Sequence, residues 1–414
     1  MYTERYRSHH VSKELKKKYQ CDVDKELYVR ELLNAPAKTR RAIYIHVPFC
    51  NKVCTFCPFY RPDALKRREY HRYLIDEIHS LQGFPYMEAP VEVINFGGGT
   101  PTALRPEQMR QVFTALRETF QIAPDAEISL ESSASELTDE MLEVLTEAGV
   151  NRLSIGIQSF QDEYRKVLGR RGSGEFAASR VQRAMEYGIQ NTGIDLLYNI
   201  PGQTDITLEK DLAMVREIAP SGISFYSLMI HPNTPLEKSL SSDARAAMAQ
   251  TEHEYALFQQ VLDGLRPRGY RMLELTKLVR DGLDRYEYMQ LRHSGGSCIA
   301  IGCGAGGKLD HYLYHNNHPR ELLSEQAPIC SRGRVMDPRY QILDAFIYEL
   351  QKARVDLRDY SEKLECDLER LLEPEITRME KEGLIHFQNG VLSFTDLGVF
   401  WGNNIVEELM RKVG

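Results

Sequence analysis

The sequence predicts an α/β fold in which a parallel sheet is covered by helices. Six short apolar runs rich in strand-forming residues alternate with amphipathic stretches of helical period. The runs are residues 42–47, 91–96, 127–131, 152–158, 193–199 and 222–230, and the helical stretches are residues 70–81, 106–120, 138–148, 176–187 and 206–218. Strands that alternate with helices pair in parallel. Periodicity alone leaves open whether the sheet is open or part of a barrel.

Residues suited to binding or catalysis stand where these strands end. They are Cys50 after the first strand, Gly97-Gly98-Gly99-Thr100 after the second, Glu131 and Gln158 at the ends of the third and fourth, Asp195 on the fifth, and Met229 and Ile230 at the end of the sixth. In open sheets and barrels alike, reactive groups gather at the carboxyl edge of the strands. We therefore expect these residues to share one site.

The remaining segments suggest a four-part organisation. We predict a helical N-terminal arm without an obvious strand (residues 1–40), a core (41–235), a helix-rich and then irregular glycine-rich segment that completes the site (236–335), and a C-terminal domain (336–414). The last part contains Gln388-Asn389-Gly390, a hairpin signal after helical stretches. Helices followed by a hairpin resemble a winged helix.

Composition narrows the class of protein. The 414 residues are 42% hydrophobic and 27% charged, which is typical of a globular chain with a large core. A net charge of −7 without a basic stripe argues against nucleic acid as the main partner. No apolar window is long enough for a membrane span, and the first residues lack the apolar stretch of a secretion signal. We expect a cytoplasmic protein without a membrane partner.

The strongest chemical signal is the segment from Cys50 to Cys57. Cys50, Cys54 and Cys57 are separated by three and then two residues in a loop after a strand. Thiolates are soft ligands suited to iron–sulfur clusters or zinc. A [4Fe–4S] cluster normally takes four cysteines, so three would leave one iron open to a cosubstrate. A zinc site with a distant fourth ligand is the alternative, although structural zinc sites more often use paired Cys-x-x-Cys knuckles.

The cysteine spacing and five further motifs together resemble one branch of the radical S-adenosylmethionine (SAM) superfamily. The motifs, in chain order, are Tyr44-Ile45-His46-Val47-Pro48-Phe49-Cys50, Gly97-Gly98-Gly99-Thr100-Pro101-Thr102, Gly156-Ile157-Gln158-Ser159-Phe160, Asp195-Leu196 and Ile200-Pro201-Gly202-Gln203-Thr204. That branch contains oxygen-independent coproporphyrinogen III dehydrogenase, a haem chaperone and anaerobic haem-degrading methyltransferases. The resemblance implies a partial (β/α)₆ radical SAM barrel followed by the winged-helix-like domain.

The same resemblance implies the cofactors and the residues that hold them. Cys50, Cys54 and Cys57 would bind a [4Fe–4S] cluster, and S-adenosylmethionine would bind beside it. Residues implied for SAM are Tyr44, Phe56, Gly98, Gly99, Thr100, Glu131, Met229 and Gly306. A second SAM, which this branch is able to bind, would use Gly99, Thr100, Gln158, Arg170 and Asp195. Without the resemblance, several of these residues would be interpreted as core positions, as glycines of tight turns or as members of ion pairs at the rim of the barrel.

Two departures direct the choice within the branch. The dehydrogenase has a fourth cysteine two positions after the third, where this chain has Phe59, and the chaperone typically has Trp before its first cysteine, where this chain has Phe49. The chain looks most similar to the haem-degrading methyltransferases, on the combination of Cys54-Thr55-Phe56-Cys57 followed by an aromatic residue with Gly304-Ala305-Gly306-Gly307-Lys308. We therefore predict methyl transfer to haem with ring opening and iron release, supplied with electrons by a low-potential donor such as flavodoxin. Coproporphyrinogen III decarboxylation, haem carriage and methylation of a different natural product are the alternatives.

Other reactive side chains carry weaker signals. His311, His315 and His318 are close in sequence and would suit haem iron or its propionates, but a polar loop also explains them. Cys298, Cys303 and Cys330 are predicted to be ordinary thiols, since free cysteine packs as a small hydrophobe. Cys21 and Cys366 give no functional signal.

Overall fold

Parallel strands form the centre of the computed structural model, which describes residues 2–6, 15, 18–22, 31–58, 64–280, 282–316 and 330–414. The main sheet contains β1 (Gln20–Asp22), β2 (Arg41–Val47), β3 (Val91–Gly98), β4 (Ile122–Ser133), β5 (Arg152–Gln158), β6 (Asn191–Tyr198), β7 (Gly222–Ser227), β8 (Tyr270–Glu274), β9 (Lys277–Arg280), β10 (Ser297–Ile301), β11 (Gly306–Leu309), β12 (Tyr312–Asn316) and β13 (Cys330–Met336). Its order is β1-β13-β12-β11-β10-β2-β3-β4-β5-β6-β7-β9-β8. The strands from β10 to β7 in this order are parallel, and the flanking ones are antiparallel.

Helices follow the parallel strands in the predicted alternation. Between β2 and β7 these are Ala64–Ser80, Pro106–Thr119, Asp139–Glu147, Asp162–Val167, Gly174–Glu186 and Asp205–Ile218. The helix Pro106–Thr119 shows why they pack on the sheet: it buries Met109, Val112, Phe113 and Leu116, which recur at helical spacing on one face. Each such side chain contributes roughly 1.5–3 kcal/mol when fully buried. The predicted partial (β/α)₆ barrel is confirmed.

The structure corrects three expectations about the strands. A strand, β1, exists in the N-terminal arm, where none was predicted, because the edge of β13 offers it a partner through Gln20 and Met336. The glycine-rich segment is not irregular: it contains β10 and β11, and glycines at 306 and 307 are accommodated within the ladder. The sixth strand, β7, ends at Ser227, so Met229 and Ile230 follow it rather than end it. The segment boundaries near residues 40, 235 and 335 stay predictions.

The C-terminal region has the helices and hairpin that the sequence predicts. Its elements are Pro338–Gln351, β14 (Arg354–Asp356), Leu357–Leu364, Leu368–Leu371, Glu373–Lys381, β15 (Ile385–Gln388), β16 (Val391–Phe394), Asp396–Phe400 and Gly402–Val413. The three strands pair in the order β14-β16-β15. Asn389 and Gly390 both have positive φ values, +51° and +77°, as the two central residues of a tight hairpin require.

Among the described residues, four further α-helices lie between β7 and β10 in the chain. They are Pro235–Ser239, Ser242–Met248, Thr251–Leu265 and Glu287–His293. A buried ion-pair network precedes the last of these: Arg152 of β5 donates to both Asp284 oxygens at 2.9 and 3.0 Å, and Lys277 of β9 lies 3.2 Å from the same carboxylate. These cations lower the pKa of Asp284 despite its burial. The network thereby fixes where the helix Glu287–His293 begins. No helix among the described residues is long and apolar enough to cross a membrane.

A buried carboxylate on the helix Ala64–Ser80 fastens the turn after β10. Glu77 is 5% exposed and accepts hydrogen bonds from the Gly302 N–H at 2.7 Å and the Asn316 amide at 2.8 Å. Two turns earlier on the same helix, the Tyr70 hydroxyl donates to the His46 carbonyl at 2.8 Å and accepts the Cys303 N–H at 2.9 Å. Burial raises the pKa of Glu77 to about 7.

The raised pKa of Glu77 predicts a pH dependence of stability. Because the folded state holds this proton more tightly than the unfolded chain does, the free energy of unfolding falls as pH rises from about 4.5 to about 7. Between pH 5 and pH 8, denaturant unfolding of the cluster-free protein should show a loss of stability that is smaller in Glu77→Gln than in the parent by an amount on the order of 2 kcal/mol. The exposed Glu140→Gln serves as the control and should behave like the parent. Equal pH dependence in the parent and Glu77→Gln would contradict the prediction.

Candidate active site

A cavity of about 730 Å³ opens at the carboxyl ends of the parallel strands, and the three clustered cysteines line it. This volume lies within the range of ordinary ligand sites. The structure brings together on its wall most of the residues that the sequence singled out, namely Cys50, Cys54, Phe56, Cys57, Gly98, Gly99, Thr100, Glu131, Gln158, Arg170 and Asp195. They come from loops and strand ends after five different strands, which is why a parallel sheet gathers them.

The cysteine loop is seated directly on the glycine-rich turn that follows β3. The Gly99 N–H donates to the Val47 carbonyl at 2.8 Å, and the Thr100 N–H donates to the Phe49 carbonyl at 2.9 Å. A Cβ on Gly99 would lie 2.5 Å from the Phe49 oxygen, closer than van der Waals contact allows. Glycine is therefore required at position 99 by the backbone of the loop itself, whatever ligand also approaches there.

The other side of the loop rests on the segment after the helix Asp162–Val167. The Thr55 N–H donates to the Leu168 carbonyl at 3.0 Å, and the Leu236 N–H donates to the Thr55 carbonyl at 2.9 Å. Gly169, with a φ of +70°, passes so close that a Cβ would lie 2.9 Å from the Thr55 methyl group. Main-chain contacts on both sides thus fix the height of the loop above the sheet.

Two of the cysteine sulfurs accept hydrogen bonds from predicted site residues. The Thr100 hydroxyl donates to Cys50 Sγ at 3.2 Å, and the Arg170 guanidinium donates to Cys54 Sγ at 3.1 Å. Arg170 also donates to the Gly156 carbonyl, which ties it to the end of β5. Burial raises the pKa of the Cys50 thiol, whereas the Thr100 hydrogen bond acts in the opposite direction. These donors suit a sulfur that carries negative charge.

A pair of carboxylates stands on the facing wall. Burial, and secondarily the charge of Asp195, raises the pKa of Glu131 to about 7. The Gly98 N–H donates to Glu131 at 3.3 Å, and the Ser154 hydroxyl donates to Asp195 at 3.1 Å. Each carboxylate keeps acceptor capacity for a ligand. This wall is therefore chemically suited to ammonium and hydroxyl groups.

The donor set fits an iron–sulfur cluster. None of the cysteines whose side chains the structure describes forms a disulfide, and Cys50, Cys54 and Cys57 keep part of their surface exposed to the cavity. Three soft thiolate ligands with hydrogen-bond donors at their sulfurs suit such a cluster. In the described part of the chain, no three His, Cys, Asp or Glu side chains already have the spacing of a formed metal site. The fit therefore rests on ligand type, hydrogen bonding and the adjoining space.

Three predicted site residues lie outside this cavity wall. Tyr44 is partly exposed, donates to or accepts from His46 Nδ1 at 2.9 Å, and stacks on Tyr288. Met229 lines a separate cavity of about 60 Å³ next to Tyr198. Gly306 lies in β11 opposite His315, whose ring would be 3.2 Å from a Cβ on the glycine.

The remaining histidines and cysteines singled out in the sequence lie outside the cavity wall or outside the described residues. His311 lies in the turn before β12 and His315 on β12, whereas Phe59 and His318 lie outside the described residues. Cys298 and Cys303 are buried, in keeping with ordinary thiols. Cys330 begins β13, and its side chain is outside the description.

The cavity also includes residues that sequence reasoning missed. His46 lines it, and burial lowers the pKa of this imidazole to about 4, so the ring is neutral at pH 7. The sequence contains an indication of this position: side chains alternate along a strand, so His46 shares the inner face of β2 with Tyr44. Gly304 lines the cavity in place of Gly306, and Ser132, Ser133 and Glu136 extend the wall beyond Glu131.

Comparison with known proteins agrees with this geometry. The chain matches the Radical SAM superfamily over residues 44–215 and the HemN C-terminal domain over residues 337–401. These ranges contain the cysteine loop with most of the parallel strands, and the three-stranded C-terminal region. A solved structure of coproporphyrinogen III oxidase (HemN) from Escherichia coli superimposes with a TM-score of 0.80 at 22% identity, covering 99% of this chain and 96% of that one.

Relatives with curated descriptions match over different lengths. Anaerobilin synthase from Escherichia coli O157:H7 is 31% identical over 395 residues, 93% of this chain and 87% of the relative. Heme chaperone HemW from Lactococcus lactis is 26% identical, over 89% of this chain and 96% of the relative. Oxygen-independent coproporphyrinogen III oxidase from Salmonella typhimurium is 30% identical, over 58% of this chain and 52% of the relative.

The match to anaerobilin synthase spans nearly the whole of both chains. The fold and both family matches indicate the same branch of one superfamily. A [4Fe–4S] cluster and S-adenosylmethionine are the cofactors of this family, as predicted from the three cysteines. The chain belongs to the radical SAM superfamily, in the branch that includes coproporphyrinogen III oxidase.

Proposed function

We propose that the protein is a radical SAM methyltransferase that acts on haem, opens the porphyrin ring to a methylated linear tetrapyrrole and releases the iron. The observation that carries this proposal is the similarity to anaerobilin synthase across 93% of the chain, barrel and C-terminal region together. The coproporphyrinogen III oxidase of Salmonella typhimurium matches over only 58%. Phe59 supports the same choice, because it occupies the position of the fourth cysteine of the oxygen-independent coproporphyrinogen III enzymes.

Two other tetrapyrrole functions have support of their own. The superposition on coproporphyrinogen III oxidase covers nearly all of both chains, which favours oxidative decarboxylation as the alternative reaction. The match to a haem chaperone covers 89% of this chain, which favours haem carriage with a retained SAM site. The three functions predict different outcomes when the protein is incubated with haem and, separately, with coproporphyrinogen III.

In the proposed mechanism, Cys50, Cys54 and Cys57 hold the cluster. When bound, the [4Fe–4S] cluster supplies an electron for reductive cleavage of S-adenosylmethionine, which generates an organic radical. The chain positions the partners of this chemistry. Thr100 and Arg170 donate to the cysteine sulfurs and so favour the more negative state of the ligands. The electron comes from a low-potential donor such as flavodoxin.

The walls of the cavity would orient S-adenosylmethionine. Glu131 and Asp195 offer acceptors for its ammonium group and ribose hydroxyls, and the Phe56 ring offers an apolar surface for the adenine. Gln158 and Arg170 stand on the same wall, where a second SAM would bind. His46, neutral at pH 7, adds a polar group without a charge. Enclosure by these side chains excludes water from reactive intermediates.

The function is tested by incubating the cluster-loaded protein anaerobically with reductant, S-adenosylmethionine and haem. We expect loss of the haem Soret band, together with a methylated open-chain tetrapyrrole, free iron and 5′-deoxyadenosine in the mass spectrum. Cys54→Ala should abolish all four because one cluster ligand is missing, whereas Cys366→Ala, a cysteine distant in sequence from the loop, should keep them.

Each contrary result selects another function. Intact haem with a vinyl product from coproporphyrinogen III would replace the proposal with oxidative decarboxylation. Stable, stoichiometric haem binding without any tetrapyrrole product would replace it with haem carriage.

The Thr100 hydrogen bond predicts a change in cluster potential. Thr100→Val keeps the shape of the side chain but removes the donor to Cys50 Sγ, so the midpoint potential of the cluster should become more negative. Redox titration followed by electron paramagnetic resonance measures it, with Thr114→Val on an exposed helix face as the control. An unchanged potential at full iron and sulfide content would show that this hydrogen bond does not tune the cluster.

A further inference from the structure

Tyr226 is an exposed aromatic side chain on an inner strand of the main sheet. It exposes 37% of its surface, although its strand, β7, lies between β6 and β9. The other large apolar side chains that are exposed within the described ranges belong to helices or to a turn, and they are Val167, Phe176, Ile206, Leu283 and Leu371. Inner strands are normally covered by a packed layer, so an exposed ring there indicates a space beside it.

The exposed ring faces the interior of the barrel. The preceding residue, Phe225, is buried, and its ring centre lies 5.7 Å from that of Phe258 on a covering helix, so Phe225 points outward. Because side chains alternate along a strand, Tyr226 points inward. The register agrees with this. Ser224 pairs with Asp195, which lines the active-site cavity, and Tyr226 lies on the same face, two residues further toward the carboxyl end of β7.

Solvent reaches this ring, yet protein surrounds it. Burial raises the pKa of the Tyr226 hydroxyl, and the charges of Asp195, Glu274 and Glu131 act in the same direction. A group on the outer surface of the protein would not be desolvated in this way. Exposure and desolvation are compatible when the exposed face of the ring borders an internal space, on the side where Glu131 and Asp195 lie. The hydroxyl remains protonated, so the ring adds no charge to that space.

Apolar side chains join Tyr226 to the cysteine loop. Leu197 of β6 pairs with Tyr226 and belongs to a buried cluster with Leu168 and Leu228, and Phe56 of the loop packs against that cluster. Tyr226 also borders the separate cavity of about 60 Å³, which has room for only a few water molecules and not for an organic ligand. A ligand of the ring would therefore lie on its inner side, between the carboxylates and the loop.

The neighbours of Tyr226 distinguish between the two ligands of the proposed reaction. The ammonium and hydroxyl groups of S-adenosylmethionine match the carboxylates of Glu131 and Asp195, and its adenine is assigned to the Phe56 ring. An uncharged phenol ring with a free face matches a second planar aromatic system, because such rings stack with an offset. The macrocycle of a tetrapyrrole is planar and aromatic, and it is the remaining partner of the reaction.

We propose that Tyr226 is a substrate-contacting residue on which the tetrapyrrole macrocycle stacks, next to the S-adenosylmethionine bound at Glu131 and Asp195. This inference rests on the proposed function for its ligand class, but it concerns binding, which is measured without turnover. It assigns the contribution to affinity to the phenol ring and not to the hydroxyl.

The test measures haem binding to the cluster-loaded protein by difference absorbance, anaerobically, with S-adenosylmethionine and without reductant. Tyr226→Leu should weaken haem binding about tenfold, the upper end of the effect of one aromatic contact, because leucine has no flat face. Tyr226→Phe should bind haem like the parent because it keeps the ring. Binding of radiolabelled S-adenosylmethionine, measured by equilibrium dialysis, should be the same in the parent and both variants.

A matched control separates stacking from structural damage. Tyr187 is partly exposed at the end of the helix before β6, at the amino ends of the strands, and Tyr187→Leu should change neither affinity. Equal losses of haem and S-adenosylmethionine binding in Tyr226→Leu would mean that the residue only shapes the barrel, which would overturn the contact. An unchanged haem affinity in Tyr226→Leu, or an equally large loss in Tyr226→Phe, would overturn it too. If Tyr226→Leu does not load its cluster, Tyr226→Met, whose longer side chain fills the space more flexibly, replaces it with the same expectation.

The outcome for the contact is distinguishable from that for the reaction. Haem binding that depends on the phenol ring, without opening of the macrocycle once reductant is added, would retain the contact and reject the proposed reaction. Opening of the macrocycle with haem affinity independent of the phenol ring would do the reverse. If the parent binds no haem, coproporphyrin III, which is also a planar macrocycle, is the second probe. The absence of ring-dependent binding there as well rejects the contact.

Discussion

The close approach of two backbone segments is the constraint on which the rest of the site depends. The turn after β3 donates two main-chain hydrogen bonds to carbonyls at the end of β2 and in the loop after it, and Gly99 leaves no room for even a methyl group between the two segments. Because β2 and β3 are neighbours in the parallel sheet, their carboxyl ends bring these segments together without long-range adjustment. The position of the cysteine loop and the hydrogen bond from Thr100 to Cys50 both depend on this contact.

The interior of the barrel changes in character along the strands. Near the cysteine loop the wall carries the carboxylates of Glu131 and Asp195. Toward the amino ends of the strands, Ala42 and Tyr288 belong to a buried apolar cluster, and Tyr44 packs against it. A positively charged cosubstrate would thus be drawn to the carboxyl ends of the strands, where the cysteines are.

Much of this arrangement was predictable from the sequence, and the exceptions have physical reasons. Alternating strand and helix periods predicted the core, and strand ends identified Cys50, Glu131 and Asp195, because local pattern decides both. The outer strands were missed since β1, three residues long, forms only through pairing with β13, which lies far along the chain.

The way in which the cysteine loop is anchored has a consequence for its evolution. Its position is set by main-chain groups of Val47, Phe49 and Thr55, and a main-chain hydrogen bond does not depend on which side chain the residue carries. The exposed positions within the loop, such as Lys52, are therefore free to drift without moving the ligands. Related chains are expected to differ there while keeping the spacing of the cysteines, so that the rim of the cavity diversifies around unchanged ligand positions.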